Sequence, residues 1–230
     1  GLRDAPSDVY GTILADRFES ALAVEKLDEL GKGERYRIER NYFKLHACCR
    51  YNHFALDAVM ALRRAQPFEA WDVMRVRVTT IPFGERMATV APASMLGAKF
   101  SIPYAVAAAI VLGRTDRAAF EPPALGDPRI RELARKVEIR AEPTMSPKRT
   151  DAPTAHVKIA LSDGRVLEAT TTVPRGDAEN PVPAEEIAAK FLALAAPVLG
   201  EPRARRAADA VREVETVKDV SELAALLVPE

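Results

Sequence analysis

Residues 102–112, IPYAVAAAIVL, are the most apolar segment of this 230-residue chain. Pro103 favours the first turn of a helix, and Gly113 is typical of the residue that ends one. The segment has about half the length of a bilayer span, so we predict no membrane-spanning helix. A helix that is apolar on every side must be covered on every side, and we therefore expect it inside the core of a layered domain.

Five segments are predicted as strands from their alternation or from strand-forming residues. They are residues 36–43, 71–81, 137–140, 154–161 and 165–173. In the second segment, Met74, Val76 and Val78 are expected on one face. The last two segments flank Ser162-Asp163-Gly164, where Gly164 can take a positive φ, so they are expected to form a hairpin.

Helices are predicted from capping residues and apolar spacing. One or two helices are expected between Ser7, a candidate N-cap, and Gly31, where the helical pattern stops. Further helices are expected at 49–64, at 128–136 after the cap Asp127, and at about 184–196, 202–215 and 219–227. The 18 residues 82–99 form a long connection of the kind that often serves as a lid or binding loop.

This order of elements predicts an α+β fold. We expect a two-layer α/β sandwich with a mostly antiparallel sheet, flanked by helices of a larger all-helical domain. Residues 1–33 and 179–230 are assigned to that helical domain, and residues 34–178 to the smaller α/β domain.

The charge balance limits the range of partners. The chain has 33 Lys and Arg against 33 Asp and Glu, so it has no net positive charge to attract nucleic acid. The first residues lack Met and the apolar segment of a signal peptide, and they suggest a chain cut from a longer one. Cys48 and Cys49 are adjacent and too few for a secreted disulfide framework, so we expect a cytoplasmic protein.

The candidate chemistry is concentrated in residues 43–53, FKLHACCRYNH, between a predicted strand and a predicted helix. Such junctions direct side chains and free backbone N–H groups into one space, which suits an anionic ligand. A zinc site would use His46, Cys48 or Cys49, and His53, but adjacent cysteines rarely bind one ion. Two cysteines also cannot hold a four-iron cluster, so we expect no cofactor and no metal unless another chain supplies one.

Over nearly all of its 230 residues, the chain resembles the MmgE/PrpD family, which includes 2-methylcitrate dehydratases, cis-aconitate decarboxylases and iminodisuccinate epimerases. The matching residues are Phe43-Lys44, Cys49-Arg50-Tyr51, His53, Leu56-Asp57-Ala58, Ala98-Lys99-Phe100-Ser101 and Pro103-Tyr104-Ala105-Val106-Ala107, with weaker matches at Asp127-Pro128, Pro174-Arg175-Gly176-Asp177, Asn180-Pro181 and Lys190-Phe191. The chain resembles the second half of family members, whose site lies between two domains. The resemblance therefore implies that polar site residues of the first half, including histidines, are missing here.

Six residues are candidates for the site, five of them through the resemblance and Arg50 through its positive charge. The catalytic candidates are Lys44, His53 and Tyr104, and the substrate-binding candidates are Lys99, Arg50 and Cys49. Removing a proton next to a carboxylate creates an enolate-like state, which cationic side chains stabilise while His or Tyr moves protons. Cys49 stands where cis-aconitate decarboxylases have a histidine, which argues against decarboxylation.

We therefore expect a metal-free lyase that acts on a small di- or tricarboxylic acid, with 2-methylcitrate-type dehydration as the favoured reaction. One alternative is an isomerase or epimerase of the same family. Another is a non-catalytic carboxylate-binding or assembly domain of a split enzyme. The expected protein partner is a second copy in a homodimer or a helical N-terminal chain, and no nucleic acid or membrane partner is expected.

Each candidate residue also has a purely structural interpretation. Lys44 could be an exposed lysine at a strand end, and His53 with Asp57 could be a helix-surface pair or a buried, hydrogen-bonded histidine. Tyr104 could be a core tyrosine with its hydroxyl bonded. Cys48 and Cys49 could be small buried hydrophobic residues. His46 is left without a role.

Overall fold

The computed structural model describes residues 19–28, 32, 36–146 and 154–229. The contacts divide the chain into two units, residues 1–41 and residues 42–230. In the first unit, α1 spans Ser20–Asp28 and a 3-10 helix spans Arg37–Arg40. The expected helix start at Ser7 and helix end at Gly31 lie outside the described residues.

The strand predicted at residues 36–43 is wrong. The backbone N–H of Glu39 donates to the carbonyl of Tyr36, and the Glu39 carboxylate accepts from the Tyr36 N–H, each at 3.0 Å. These local bonds close a helical turn, and no strand is assigned between residues 36 and 45. Alternation alone could not reveal that residues 36–41 bond to one another.

The second unit contains a four-stranded sheet in the order β2-β1-β3-β4. The strands are β1 Val73–Thr80, β2 Val137–Ala141, β3 Ala155–Leu161 and β4 Val166–Thr171. As predicted, β3 and β4 form a hairpin, with Gly164 at φ +87° in its turn. The predicted alternation of β1 needs one correction. A register shift between Val73 and Arg75 turns Val73 inward and leaves Met74 exposed.

The α+β fold is confirmed, but the sheet is mixed rather than mostly antiparallel. Strand β1 pairs antiparallel with β3, with Val78 opposite Val157, and parallel with β2, with Val76 opposite Val137. The chain between β1 and β2 is a long helical crossover, which is the connection that parallel neighbours require.

The core lies between one face of the sheet and two helices, α2 Arg50–Ala65 and α4 Ile102–Leu112. Residues 102–110 are all buried, which confirms the predicted core helix. Val76, Val78, Val157 and Ile159 pack from the sheet side with 0% exposure.

Short elements complete the crossover. The 3-10 helix Pro82–Met87 and α3 Met95–Lys99 occupy the segment predicted as a long loop. After α4 come α5 Pro122–Gly126 and α6 Pro128–Ala134. As predicted, Asp127 caps α6, because its side chain accepts from the N–H of Arg129 at 2.9 Å.

The C-terminal part consists of α7 Ala184–Leu199, α8 Glu201–Arg212 and α9 Val220–Leu226, as predicted. Helix α7 packs against α8, and α8 against α9. The assignment of this part to a larger helical domain stays a prediction. Among the described residues, no helix is both long enough and apolar enough to span a bilayer.

Candidate functional site

An open cavity of about 610 Å³ lies where the segment before α2, the end of α3 and the middle of α7 meet. Its polar and ionisable lining consists of Tyr42, Lys44, His46, Cys48, Cys49, Lys99 and Lys190. The cavity therefore draws its chemistry from three parts of the chain that are far apart in sequence.

Backbone hydrogen bonds fix the segment 42–49 in place. The N–H of Phe43 donates to the carbonyl of Gly176 at 2.8 Å, and the N–H of Cys49 donates to the carbonyl of Lys99 at 2.9 Å. Gly176 has φ +90°, and a Cβ atom there would lie 2.2 Å from the Phe43 carbonyl oxygen. Only glycine allows this close approach, so the sequence after β4 helps to shape the cavity wall.

The cavity is positively charged. Lys44, Lys99 and Lys190 line it, and no acidic residue of the described chain does. Within that part of the chain, neither Lys44 nor Lys99 has a carboxylate partner. The N-terminus of α2, whose dipole is positive at this end, begins beside Cys49. These charges make the cavity suited to an organic anion.

Beneath the cavity, His53 is a neutral, fully buried imidazole. Its Nε2–H donates to the carbonyl of Cys48 at 3.3 Å, so Nδ1 is the unprotonated nitrogen that accepts from the Tyr42 hydroxyl. Burial, together with the neighbouring His46, lowers the pKa of His53 to about 3. Burial also raises the pKa of Tyr42, so the phenol stays protonated.

His46 is held by a second set of hydrogen bonds. Its Nε2 lies 3.1 Å from Asp57 Oδ1, and its Nδ1 lies 2.6 Å from Thr115 Oγ1. Because the carboxylate can only accept, Nε2 carries the proton and Nδ1 accepts from Thr115 when the ring is neutral. Asp57 Oδ2 accepts from the N–H of Arg175 at 2.8 Å.

Three of the predicted site residues line this one cavity: Lys44, Lys99 and Cys49. His53 lies behind Tyr42 and is 0% exposed. Arg50, predicted to bind substrate, does not line the cavity, because its guanidinium forms an ion pair with Asp177 at 2.6 Å. It also lies over the Tyr42 ring, 4.8 Å from the centroid.

The structure does not bring Tyr104 to the cavity. Its side chain is 2% exposed, its hydroxyl donates to the carbonyl of Ala119 at 3.0 Å, and its ring packs near Phe120. Burial raises the pKa of this phenol to about 12. In this arrangement the predicted catalytic tyrosine is a core residue, and the phenol at the cavity belongs to Tyr42.

Four polar residues of the lining, Tyr42, His46, Cys48 and Lys190, were not among the predicted site residues. Tyr42 and His46 flank Lys44 within two positions, so their proximity was available as a signal. Lys190 is 146 residues from Lys44, and no spacing rule could have joined the two. For a metal, no cluster of three or more His, Cys, Asp or Glu side chains is found among the described residues.

Three curated proteins are similar to the chain. It is 27% identical over 208 residues to the cis-aconitate decarboxylase-like protein oryM of Aspergillus oryzae. This match covers 85% of the present chain and 42% of oryM. It is 26% identical to the cis-aconitate decarboxylase of Aspergillus terreus, covering 80% of this chain and 40% of the relative. It is also 26% identical to the cis-aconitate decarboxylase of Mus musculus, covering 76% and 37%. The chain thus spans about two fifths of the length of the curated relatives it matches.

A sequence model of the MmgE/PrpD C-terminal domain matches residues 46–216. That range contains the whole sheet, α2, α4 and most of the cavity lining. The chain therefore belongs to the MmgE/PrpD family.

Proposed function

We propose that the lysine-lined cavity binds a small di- or tricarboxylic acid and that the protein works as a lyase on it. The observation that carries this proposal is the pair Lys44 and Lys99. They come from different elements, face one cavity and have no carboxylate partner in the described chain. An organic anion with two or more carboxylates would supply the missing negative charge.

The names of the relatives support this class of substrate. Two are cis-aconitate decarboxylases, and cis-aconitate is a tricarboxylic acid. Membership in the same family makes a related acid the natural candidate for this chain.

The proposed chemistry begins with removal of a proton from the carbon next to a carboxylate. The resulting enolate-like charge would be stabilised by Lys44 and Lys99, which also fix the acid in place. In a dehydration, the hydroxyl group on the neighbouring carbon then takes up a proton from an acidic side chain and leaves as water, while the electron pair of the enolate-like state forms the double bond. All of these steps can use protein side chains alone.

We favour 2-methylcitrate-type dehydration over decarboxylation because of Tyr42 and Cys49. The Tyr42 proton is donated to His53, so the phenol oxygen is left to accept a hydrogen bond from a substrate hydroxyl. A hydroxy acid offers that group, whereas cis-aconitate has none. Cys49 lines the cavity at the position where the resemblance gives decarboxylases a histidine.

In this proposal Tyr42 contacts the substrate, and His53 is a positioning residue that orients the Tyr42 hydroxyl. Tyr104 is left out of the site because its hydroxyl is bonded to Ala119. Because the chain spans about two fifths of its relatives' length, we propose that the rest of such a protein supplies the base that removes the proton.

A non-catalytic carboxylate-binding domain is the second candidate. The specific observation in its favour is that neither His53 nor Tyr104 lines the cavity, so the chain brings binding groups to it but few that transfer protons. An epimerase would use the same first step as the dehydratase, and differs in returning the proton to the opposite face.

The test uses NMR in D₂O to monitor proton exchange and water loss when the protein is mixed with 2-methylcitrate or with cis-aconitate. The protein is used at the length its gene encodes, and Lys44→Met is compared with the wild type. Since charge stabilisation at a developing enolate contributes on the order of 100-fold or more in rate, Lys44→Met should lose most of the activity. Lys158→Met is the matched control, because Lys158 lies on the outer face of β3 and pairs with Glu168.

If the wild-type protein neither exchanges protons nor eliminates water with any such acid but still binds it, the binding-domain candidate replaces the lyase. If it does not bind these acids, both candidates are wrong.

A further inference from the structure

Lys190 reaches the cavity from the C-terminal helix α7. Its Nζ donates to the carbonyl of Lys44 at 2.5 Å and lies 3.4 Å from the carbonyl of Leu45. An ammonium group has three N–H donors, so these contacts leave one donor for a ligand in the cavity that Lys190 also lines.

Within the described part of the chain, no carboxylate forms an ion pair with Lys190. Burial lowers its pKa, and the nearby positive charge of Lys44 acts in the same direction. The negative charge of Asp116 opposes this shift, but that carboxylate is already bound by Arg114 in a two-pronged contact. An anion between the lysines would relieve their mutual repulsion.

Lys190 also acts on Lys44 through the main chain. The carbonyls that accept from Lys190 belong to Lys44 itself and to the next residue, so the ammonium clamps the segment that carries the Lys44 side chain. The clamp and the charge are separate contributions, and they predict different effects on different ligands. Loss of the clamp would weaken every anion, whereas loss of the charge would weaken most the anion with the largest number of carboxylates.

We propose that Lys190 is a specificity-determining residue of the cavity. Its one remaining N–H donor binds an additional carboxylate of the substrate. This inference rests on the proposed function, since it assumes that Lys44 and Lys99 bind the first two carboxylates. It makes α7 part of the binding site and not only a packing element.

The experiment measures binding to the protein, at the length its gene encodes, by isothermal titration calorimetry with two unreactive acids. Tricarballylate has three carboxylates, and glutarate is the same carbon chain without the central one. The wild type should prefer tricarballylate, and Lys190→Met should lose at least about tenfold in its affinity for tricarballylate and much less for glutarate, since a charge-assisted hydrogen bond to the third carboxylate is lost. Lys44→Met should weaken both acids, and Lys158→Met measures the general effect of removing one positive charge.

A second variant keeps the test decisive if Lys190→Met unfolds. Lys190→Gln retains an N–H donor for the carbonyls of Lys44 and Leu45 but has no charge, so it should fold and should still lose the preference for tricarballylate. Lys190→Arg keeps the charge and should retain most of the preference.

The inference is overturned if Lys190→Met or Lys190→Gln weakens both acids equally, because the clamp alone would then explain the effect. It is also overturned if neither acid is affected. If the wild-type chain binds neither acid, the carboxylate site itself is wrong and this inference fails with it. A wild type that binds both acids while the variants keep its preference leaves the proposed function standing and removes only the role of Lys190.

Discussion

His46 and Asp57 form a buried pair, with Nε2 and Oδ1 3.1 Å apart and both side chains less than 10% exposed. The spacing of one helical turn suggested that Asp57 pairs with His53, but its carboxylate instead accepts a hydrogen bond from His46, in the segment before α2. Through its other oxygen, Asp57 binds the N–H of Arg175 after β4. One carboxylate thus connects the segment before α2, α2 itself and the loop after β4.

We expect Asp57→Asn to destabilise the protein by about 2 kcal/mol, in the range found when a buried hydrogen bond to a charged group is lost. Asparagine keeps one side-chain oxygen and replaces the other with an NH₂ group. Either His46 Nε2–H or the Arg175 N–H then meets this NH₂ group, which is a donor and cannot accept its hydrogen bond. Urea unfolding followed by circular dichroism measures the change.

Glu138→Gln is the control for Asp57→Asn. Glu138 pairs with Arg75 on the exposed sheet face, and both side chains are about half exposed. Removing this charge should leave the free energy of unfolding nearly unchanged, because solvent screens an exposed ion pair. Equal, small effects of both variants would show that Asp57 does not hold the three segments together.

The two tyrosines give opposite predictions. Citrate is tricarballylate with one added hydroxyl, so the ratio of the two affinities reports recognition of that group. Tyr42→Phe should abolish a preference for citrate, because the phenol oxygen that accepts from the substrate is gone. Tyr104→Phe should leave the ratio unchanged and cost about 1 kcal/mol of stability through the lost bond to Ala119.

Calorimetry gives both affinities for each variant, and chemical denaturation gives the stabilities. A Tyr104→Phe variant that keeps its stability but loses the citrate preference would return Tyr104 to the site, as the family resemblance implies. A Tyr42→Phe variant that keeps the preference would remove Tyr42 from the proposed contacts with substrate.

Local sequence rules succeeded where the structure depends on neighbours in the chain. The turn at Gly164 and the core helix ended by Gly113 are set by a few adjacent residues, and both are confirmed. The strand predicted at residues 36–43 failed because alternation does not identify a pairing partner. The parallel pairing of β2 with β1 was missed because it depends on how the whole crossover between them is folded.

The site shows the same division. Lys44 and Cys49 lie in one short segment rich in reactive side chains, so the sequence could place them together. The pairing of His46 with Asp57 and the approach of Lys190 are products of tertiary packing. Tyr104 illustrates the converse, since a position at the head of a helix does not say whether its ring points to a cavity or to the core.

His53 should make the protein less stable in acid. Its pKa is about 3 in the fold against 6.5 in the unfolded chain, so between these values the unfolded state binds a proton that the folded state does not. Above pH 6.5 His53 is neutral in both states and does not reduce the free energy of unfolding. As the pH falls from 6.5 towards 3, proton binding by the unfolded state reduces this free energy progressively. From pH 7 to pH 5, we expect the free energy of unfolding to fall by about 2 kcal/mol from this group.

The measurement is urea unfolding at several pH values for the wild type and for His53→Gln. Glutamine can accept from Tyr42 and donate to the carbonyl of Cys48 without titrating, and His46 and His156 remain in both proteins. The difference between the two curves should therefore isolate His53. Parallel curves between pH 7 and pH 5 would contradict a strongly lowered pKa.

Gly176→Ala should be among the most damaging single substitutions near the cavity. The new Cβ would lie 2.2 Å from the carbonyl oxygen of Phe43, and φ is +90°, so both the contact and the backbone conformation are unfavourable. Gly164→Ala is the matched control, because its φ is +87° and no atom lies within 4 Å of the added Cβ. The control should cost about 1 to 2 kcal/mol through φ alone, and Gly176→Ala should cost clearly more and weaken tricarballylate binding, because the segment carrying Lys44 must move. Equal losses of stability in the two variants, measured by urea unfolding, would show that the contact with Phe43 does not constrain that segment.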